Sequence, residues 1–462
     1  MKNRISFLLI LFVFCRGGWG AEESFIRSSD VYKRISKAID KIKVVDGHEH
    51  IRSEADVLKE GTPDFFKIFI SAYVRTDIKS TGNTFANDEK FLDESLSVKQ
   101  RWESFAPVYA RLKNTGYIRS TKIGLEKVHG IEIKNAESIK KINASIKRLY
   151  KPGVYKKVLC DLGNIDYVIN VAKYPAGYEK DKFPPFFRGV RAFEQMVIFT
   201  SQDDIYQMEK QYGIRVHSVD DIEKIYRKYI DESIASGIIG FKYTGAYLRS
   251  LDFTDCSREK ADALLKNLLQ NTEAHFSWAG GTAFSIEKGE PLSNYCMNTM
   301  LKIIEEKGFP VSIHTGIQNR GSNDVRNSNP QLLIPLFKEY RNINFDIFHG
   351  GFPCVTEFIE LGKSWPNVYL DFCWSHIITP EGVKNQLSEA IECVPANKIF
   401  AFGGDLHYPE QVIGHLEMAK ENVAVVLAEK VLDGSFSEHE AIAYAQKILR
   451  TNAIEFYKLD RK

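Results

Sequence analysis

The sequence predicts an α/β protein: a (β/α)8 barrel of the TIM type with a helical insertion after its first strand. Three observations carry that expectation. Short β-branched or aromatic runs alternate with amphipathic helical stretches, which marks βα units and a parallel sheet. The runs number eight, the count of a closed barrel. The gap after the first run is far longer than an ordinary βα connection.

The first run is "IKVVDGHEH", followed by "NIDYVINVAKY" (164–174) and "GVRAFEQMVIF" (189–199), the last of which reads equally as strand or helix. Then come "SGIIGFKYT" (236–244), "FPVSIHTG" (309–316), "INFDIFHGG" (343–351), "NVYLDFCW" (367–374) and "KIFAFGGD" (398–405). A doubly wound open sheet is the alternative architecture. It calls for a Gly-rich phosphate loop after an early strand, and none is present. Residues 52–163 hold helix-like and polar sequence and form the predicted insertion on the active-site side. A second insertion is expected between Thr244 and Phe309, and two helices close the chain.

The N-terminus reads differently. "MKNR", the apolar "ISFLLILFVF" and the small-x-small "GWG" make residues 1–20 a predicted signal peptide and 21–460 the barrel, with export to the periplasm or outside the cell. The apolar run is short for a bilayer span, so no stable membrane anchor is expected. Without that segment the chain carries 59 basic against 60 acidic residues and no basic run, which argues against nucleic acid as partner. The six remaining cysteines are sparse and form no C-x-x-C pair, so neither a disulfide framework nor a Cys-rich zinc site is expected. Cys373 reads as a buried free thiol.

The chemistry lies at the strand ends. In a (β/α)8 barrel, catalytic groups sit where the strands end and the loops converge. Those positions carry His48 and His50, Lys242, His314, His349 and Asp405. Residues i and i+2 of a strand share a face, so His48 and His50 aim both imidazoles at one point, with Glu49 opposite and Asp46 beside His48. Singly, His314 could be hydrogen-bonded at a strand edge, His349 could cap a turn and Asp405 could cap a helix. One shared explanation, a divalent ion, covers equivalent positions on several strands at once. His129, His217, His275, His415 and His439 fall in helical or linker sequence and read as structural.

This pattern resembles the amidohydrolase superfamily, and "GFKYTGAYLR", "FDIFHGGFP", "PNVYLDFCWSHIITPEG" and "NKIFAFGGD" are similar to its amidohydrolase-2 branch. The resemblance implies metal ligands at His48, His50, His314, His349 and Asp405, with Asp405 also the general base that takes a proton from water and returns it to the leaving group. Zinc suits imidazoles with one carboxylate best; manganese and iron are the alternatives. Lys242 is carboxylated in binuclear members. Here its neighbours Tyr247 and Arg249 favour a catalytic cation in the pocket beside a single ion. Trp374, His376, His407 and Arg191 are further candidates for substrate contact.

The implied activity is hydrolysis of a small polar ester, lactone or amide, carboxylated or sugar-derived. A uronate-type isomerase or non-oxidative decarboxylase is the alternative within enzymes, and a periplasmic small-ligand binding protein is the alternative outside them. The expected partner is a small molecule, and a homo-oligomer is compatible with the sequence.

Overall fold

The computed structural model describes residues 19–71, 73–82, 90–172, 177–270, 286–319 and 324–460. All but the last two residues of the expected signal peptide lie outside this set, as does His275. Eight parallel strands run in sequence order: β1 (Val44–Glu49), β2 (Ile165–Ala172), β3 (Phe187–Ala192), β4 (Gly240–Tyr243), β5 (Val311–Ile313), β6 (Phe345–Ile347), β7 (Val368–Asp371) and β8 (Ile399–Phe400). The residues after β8 complete the ring. Gly47 N donates to Phe402 O (3.0 Å), Asp405 N to His48 O (2.8 Å) and His50 N to Leu406 O (3.1 Å). The architecture is therefore the expected (β/α)8 barrel.

Seven of the eight strands lie within their apolar runs and β3 begins two residues before its own, because a parallel strand covered on both faces has little room for polar residues. The 189–199 run was read too long. β3 stops at Ala192, and Glu194–Val197 turns into a short helix.

Helices α1 (Trp19–Ser28) and α2 (Asp30–Ile39) precede β1. Between β1 and β2 lie α3 (Glu54–Glu60), α4 (Phe65–Phe69), α5 (Tyr73–Ser80), α6 (Val98–Leu112), α7 (Gly116–His129) and α8 (Ala136–Leu149). Their starts are legible in the sequence. Thr115 caps α7, and Ser97 with Gln100 and Asn135 with Ser138 form capping boxes on α6 and α8. α9 (Val219–Ala235) follows β3, while α10 (Pro409–Leu432) and α11 (Asn452–Tyr457) follow β8.

The insertion docks through a crossing of α7 on α10. A Cβ on Gly124 would sit 1.8 Å from Glu410 O and one on Gly414 1.9 Å from Ser120 O, so only glycine permits this approach. Tyr150 and His129 reinforce the joint by converging on the buried Glu410. At the opposite end α11 plugs the barrel, packing Ala453, Phe456 and Tyr457 against Val45, Ile169, Val190 and Phe400. Among the described residues no helix is long and apolar enough to cross a membrane, and the six described cysteines are free.

Tyr457 carries a polar group into this plug, donating to Asp346 Oδ2 at 2.8 Å beside Ser312 Oγ at 2.9 Å. Replacing Tyr457 by Phe keeps the packing and strips a buried carboxyl of a donor. The expected cost is about 1–3 kcal/mol in urea unfolding.

Candidate metal centre

The strand ends deliver their side chains to one point. His48 and His50 place their Nε2 atoms 3.3 and 3.2 Å from Asp405 Oδ1, and His349 Nε2 lies 3.8 Å from Asp405 Oδ2. His314 Nδ1 sits 2.9 Å from His349 Nε2. Five of the six strand-end residues named above are thus gathered at one carboxylate, and among the described residues His48, His50 and Asp405 form a group close enough to hold an ion.

The tautomers test whether a metal fits. His314 Nε2 lies 3.0 Å from Ile317 O, and His349 Nδ1 lies 3.2 Å from Cys373 O, with the weaker Cys373 thiol at 3.3 Å. A carbonyl only accepts, so these nitrogens carry the ring protons. The nitrogens that face each other then both present lone pairs, which a shared cation would satisfy. Burial holds the imidazoles neutral as such ligation requires: His48 and His314 are pushed down to about 3, and His349 well below its usual value. Burial alone would raise the Asp405 carboxyl. The His48 and His50 imidazoles instead hold it well below the usual carboxylate range. The donor set fits a divalent ion.

β1 carries an irregularity that the alternation argument missed. Its register against β2 slips between Asp46 and Glu49, and such a bulge reverses which residues share a face. Asp46 therefore lies with Glu49. Asp46 Oδ1 accepts from Gly404 N (3.0 Å) and Glu49 Oε2 from Leu406 N (2.7 Å). Their remaining oxygens have no other partner. Burial pushes Asp46 up to about 6, and burial with the charge of Asp46 pushes Glu49 well above its ordinary value. A Cβ on Gly404 would meet Glu49 Oε1 at 1.9 Å, which explains the glycine before Asp405.

The other candidates scatter. Lys242 is fully buried inside the barrel, its Nζ 3.2 Å above the Phe348 ring. Burial pushes it down to about 8, against the attraction of Cys373, Asp405, Asp346 and Asp371. Its ammonium is not presented to a solvent-facing pocket. Tyr247 packs its ring 4.7 Å from His314, and His407 hydrogen-bonds His50 O at 3.2 Å; both border the cluster. Trp374 stands edge-on to His349, ring centres 5.1 Å apart.

Three residues are not brought to the cluster. Arg249 folds back to Ser250 O and Asp252 O, stabilising the loop after β4. Arg191 alternates with the inward-facing Val190 and Ala192, so it points outward, over the Tyr229 ring of α9. His376 is pinned between Ala401 O and Asn422, behind the site. His415 braces Gly404 O, a structural role as read from sequence.

The insertion contributes aromatic groups that sequence reasoning did not single out. Tyr73 of α5 stacks on Trp374 at 4.2 Å, and Tyr117 of α7 lies 5.2 Å from Tyr73. Burial, with the Asp405 charge nearby, holds the Tyr73 hydroxyl's pKa well above the usual value. No spacing rule marks these tyrosines; they arrive by tertiary docking.

Residues 242–459, just under half of the chain, match the amidohydrolase family model (Amidohydro_2). Over that segment the chain is similar to amidohydrolases, and the barrel with its strand-end cluster agrees with the likeness. A uronate isomerase from Thermotoga maritima superposes with a TM-score of 0.78 at 14% identity, covering 94% of this chain and 99% of its own. A glucuronate isomerase from Caulobacter crescentus gives 0.74 at 15% identity, covering 94% of each chain. At these identities the likeness is one of fold. Protein fluG of Emericella nidulans is 23% identical over 242 residues, 50% of this chain and 27% of that protein, so the chain spans about a quarter of this relative's length.

The depressed imidazole values set a pH expectation. A group whose folded pKa falls from 6.5 to about 3 stays neutral through pH 6.5. Proton competition for these ligands is therefore absent near pH 6.5 and appears only as pH approaches 3. Equilibrium dialysis of zinc against the folded His50→Gln protein between pH 5 and 8, with circular dichroism as the check on folding, isolates these imidazoles and is expected to show no binding step centred near 6.5.

Proposed function

We propose that this protein is a metal-dependent hydrolase of a small polar ester, lactone or amide, with His48, His50, His314, His349 and Asp405 holding a divalent ion, zinc foremost. The observation that carries the reading is the buried Asp405 carboxylate, with the Nε2 atoms of His48 and His50 3.3 and 3.2 Å from Oδ1 and His349 facing Oδ2 at 3.8 Å. A divalent ion in this donor set supplies Lewis acidity, polarising a carbonyl and acidifying water. Asp405 then takes a proton from the attacking water and returns it to the leaving atom. Tyr73 orients Asp405, while Tyr247 and His407 border the space a substrate would enter. Export and a small-molecule partner belong to the same proposal.

A second reading, aldose–ketose isomerisation of a uronic acid, is favoured by the whole-chain likeness to uronate isomerases, which takes in the helical insertion as well as the barrel. There Asp405 and Tyr73 would move protons along the sugar carbons, with no water consumed.

Metal analysis of the purified protein, combined with a turnover screen of lactones, esters and amides against uronic acids, separates these readings. Asp405→Asn is expected to lower turnover on the order of 10²–10⁴-fold. A wild-type preparation that binds no divalent ion would overturn both readings. Tyr73→Phe is expected to lower kcat more than it raises KM, as removal of a group that orients the base rather than one that binds substrate.

A further inference from the structure

The loop after β5 carries ligand candidate His314 and the carbonyl that fixes its tautomer, Ile317 O. Its barrel side is well anchored. Gly316 N donates to Ser328 O (2.8 Å), Ile317 N to Phe352 O (2.6 Å), and the Gln318 side chain to Ala246 O. Its remaining side meets the insertion. Thr76 Oγ donates to Asn319 Oδ1 at 2.6 Å across 243 residues of sequence, and Asn319 N donates to the Tyr247 hydroxyl at 3.1 Å. Thr76 lies three residues after Tyr73 on α5, so both project from neighbouring turns of one helix face. That face thus reaches both halves of the cluster: the His349 side through Tyr73 stacked on Trp374, and the His314 loop through Thr76.

We propose that α5 is a tie across the metal centre, in which Thr76 and Asn319 are positioning residues that keep the Ile317 carbonyl on His314 Nε2 and leave His314 Nδ1 facing the cluster. The inference rests on the metal reading above for its consequence and on hydrogen-bond geometry for its cause. Such outer partners of a ligating histidine fix its tautomer and basicity, and their loss weakens metal binding about 10–100-fold.

The test uses the full chain carrying Thr76→Val, Thr76→Ser or Asn319→Ala. The Val variant removes the hydroxyl at nearly constant shape, the Ser variant restores it, and Asn319→Ala removes the acceptor from the barrel side. Two measurements are made on each: the His314 tautomer by long-range nitrogen–proton spectra of 15N-histidine-labelled protein, assigned with His314→Gln, and the rate at which a chelator strips zinc. Thr76→Val and Asn319→Ala are expected to lose the single Nε2–H form of His314 and to release zinc about 10-fold faster or more, with unchanged melting of the metal-free protein. Thr76→Ser is expected to restore both. Wild-type tautomer and release rate in a folded Thr76→Val or Asn319→Ala protein would overturn the proposal. A wild-type protein that binds no zinc would remove the metal reading, and the tautomer measurement would still decide the tie.

Discussion

The barrel mouth is organised around the charge on Asp405. Removing a carboxylate from water is costly unless donors replace the lost hydration. Here the imidazoles of His48 and His50 supply that replacement at one oxygen, while His349 faces the other. The arrangement needs the first and last strands side by side, because β1 brings the histidines and the residues after β8 bring the carboxylate. The backbone bond from Asp405 N to His48 O joins them. Barrel closure and assembly of the site are thus one event.

Beneath and beside that carboxylate lie further buried acids that remain compatible with it because they are not all ionised together. Burial raises the pKa of both Asp46 and Glu49 behind β1. Asp346 is raised to about 7 by burial and takes the Tyr457 hydroxyl. Lys242 sits among these groups as a counter-charge and presses on Phe348, whose ring packs 4.7 Å from His48. It also lies near enough to His48, His314, His349 and Asp405 for its charge to act on each of them.

Much of this was legible in the sequence, and the reasons differ by residue. Eight apolar runs gave eight strands because parallel strands buried on both faces leave a plain compositional trace. The histidines and Asp405 stood out because polar groups closing such runs need a cause. Three kinds of fact left no trace. Strand alternation misassigned Asp46 because a bulge changed the parity within β1. Arg191 and His376 lie close in sequence to strand ends, yet point to the helical layer or the scaffold. Tyr73 and Tyr117 come from helices whose sequence specifies amphipathic packing alone, so their meeting with Trp374 depends on how α7 crosses α10.

Among the described non-glycine residues with left-handed backbone, three stand at the site: His349 (φ 70°), Trp374 (φ 63°) and Asp405 (φ 58°). Each sits where a strand breaks, and a side chain in that region costs on the order of 1–3 kcal/mol. Relaxation of any one would lower the local energy while turning its side chain away from the others. A divalent ion held at this cluster would oppose that relaxation. The consequence is a shared dependence: each of these side chains is held by buried packing against its local backbone preference, so loosening one strand end loosens the geometry of the others.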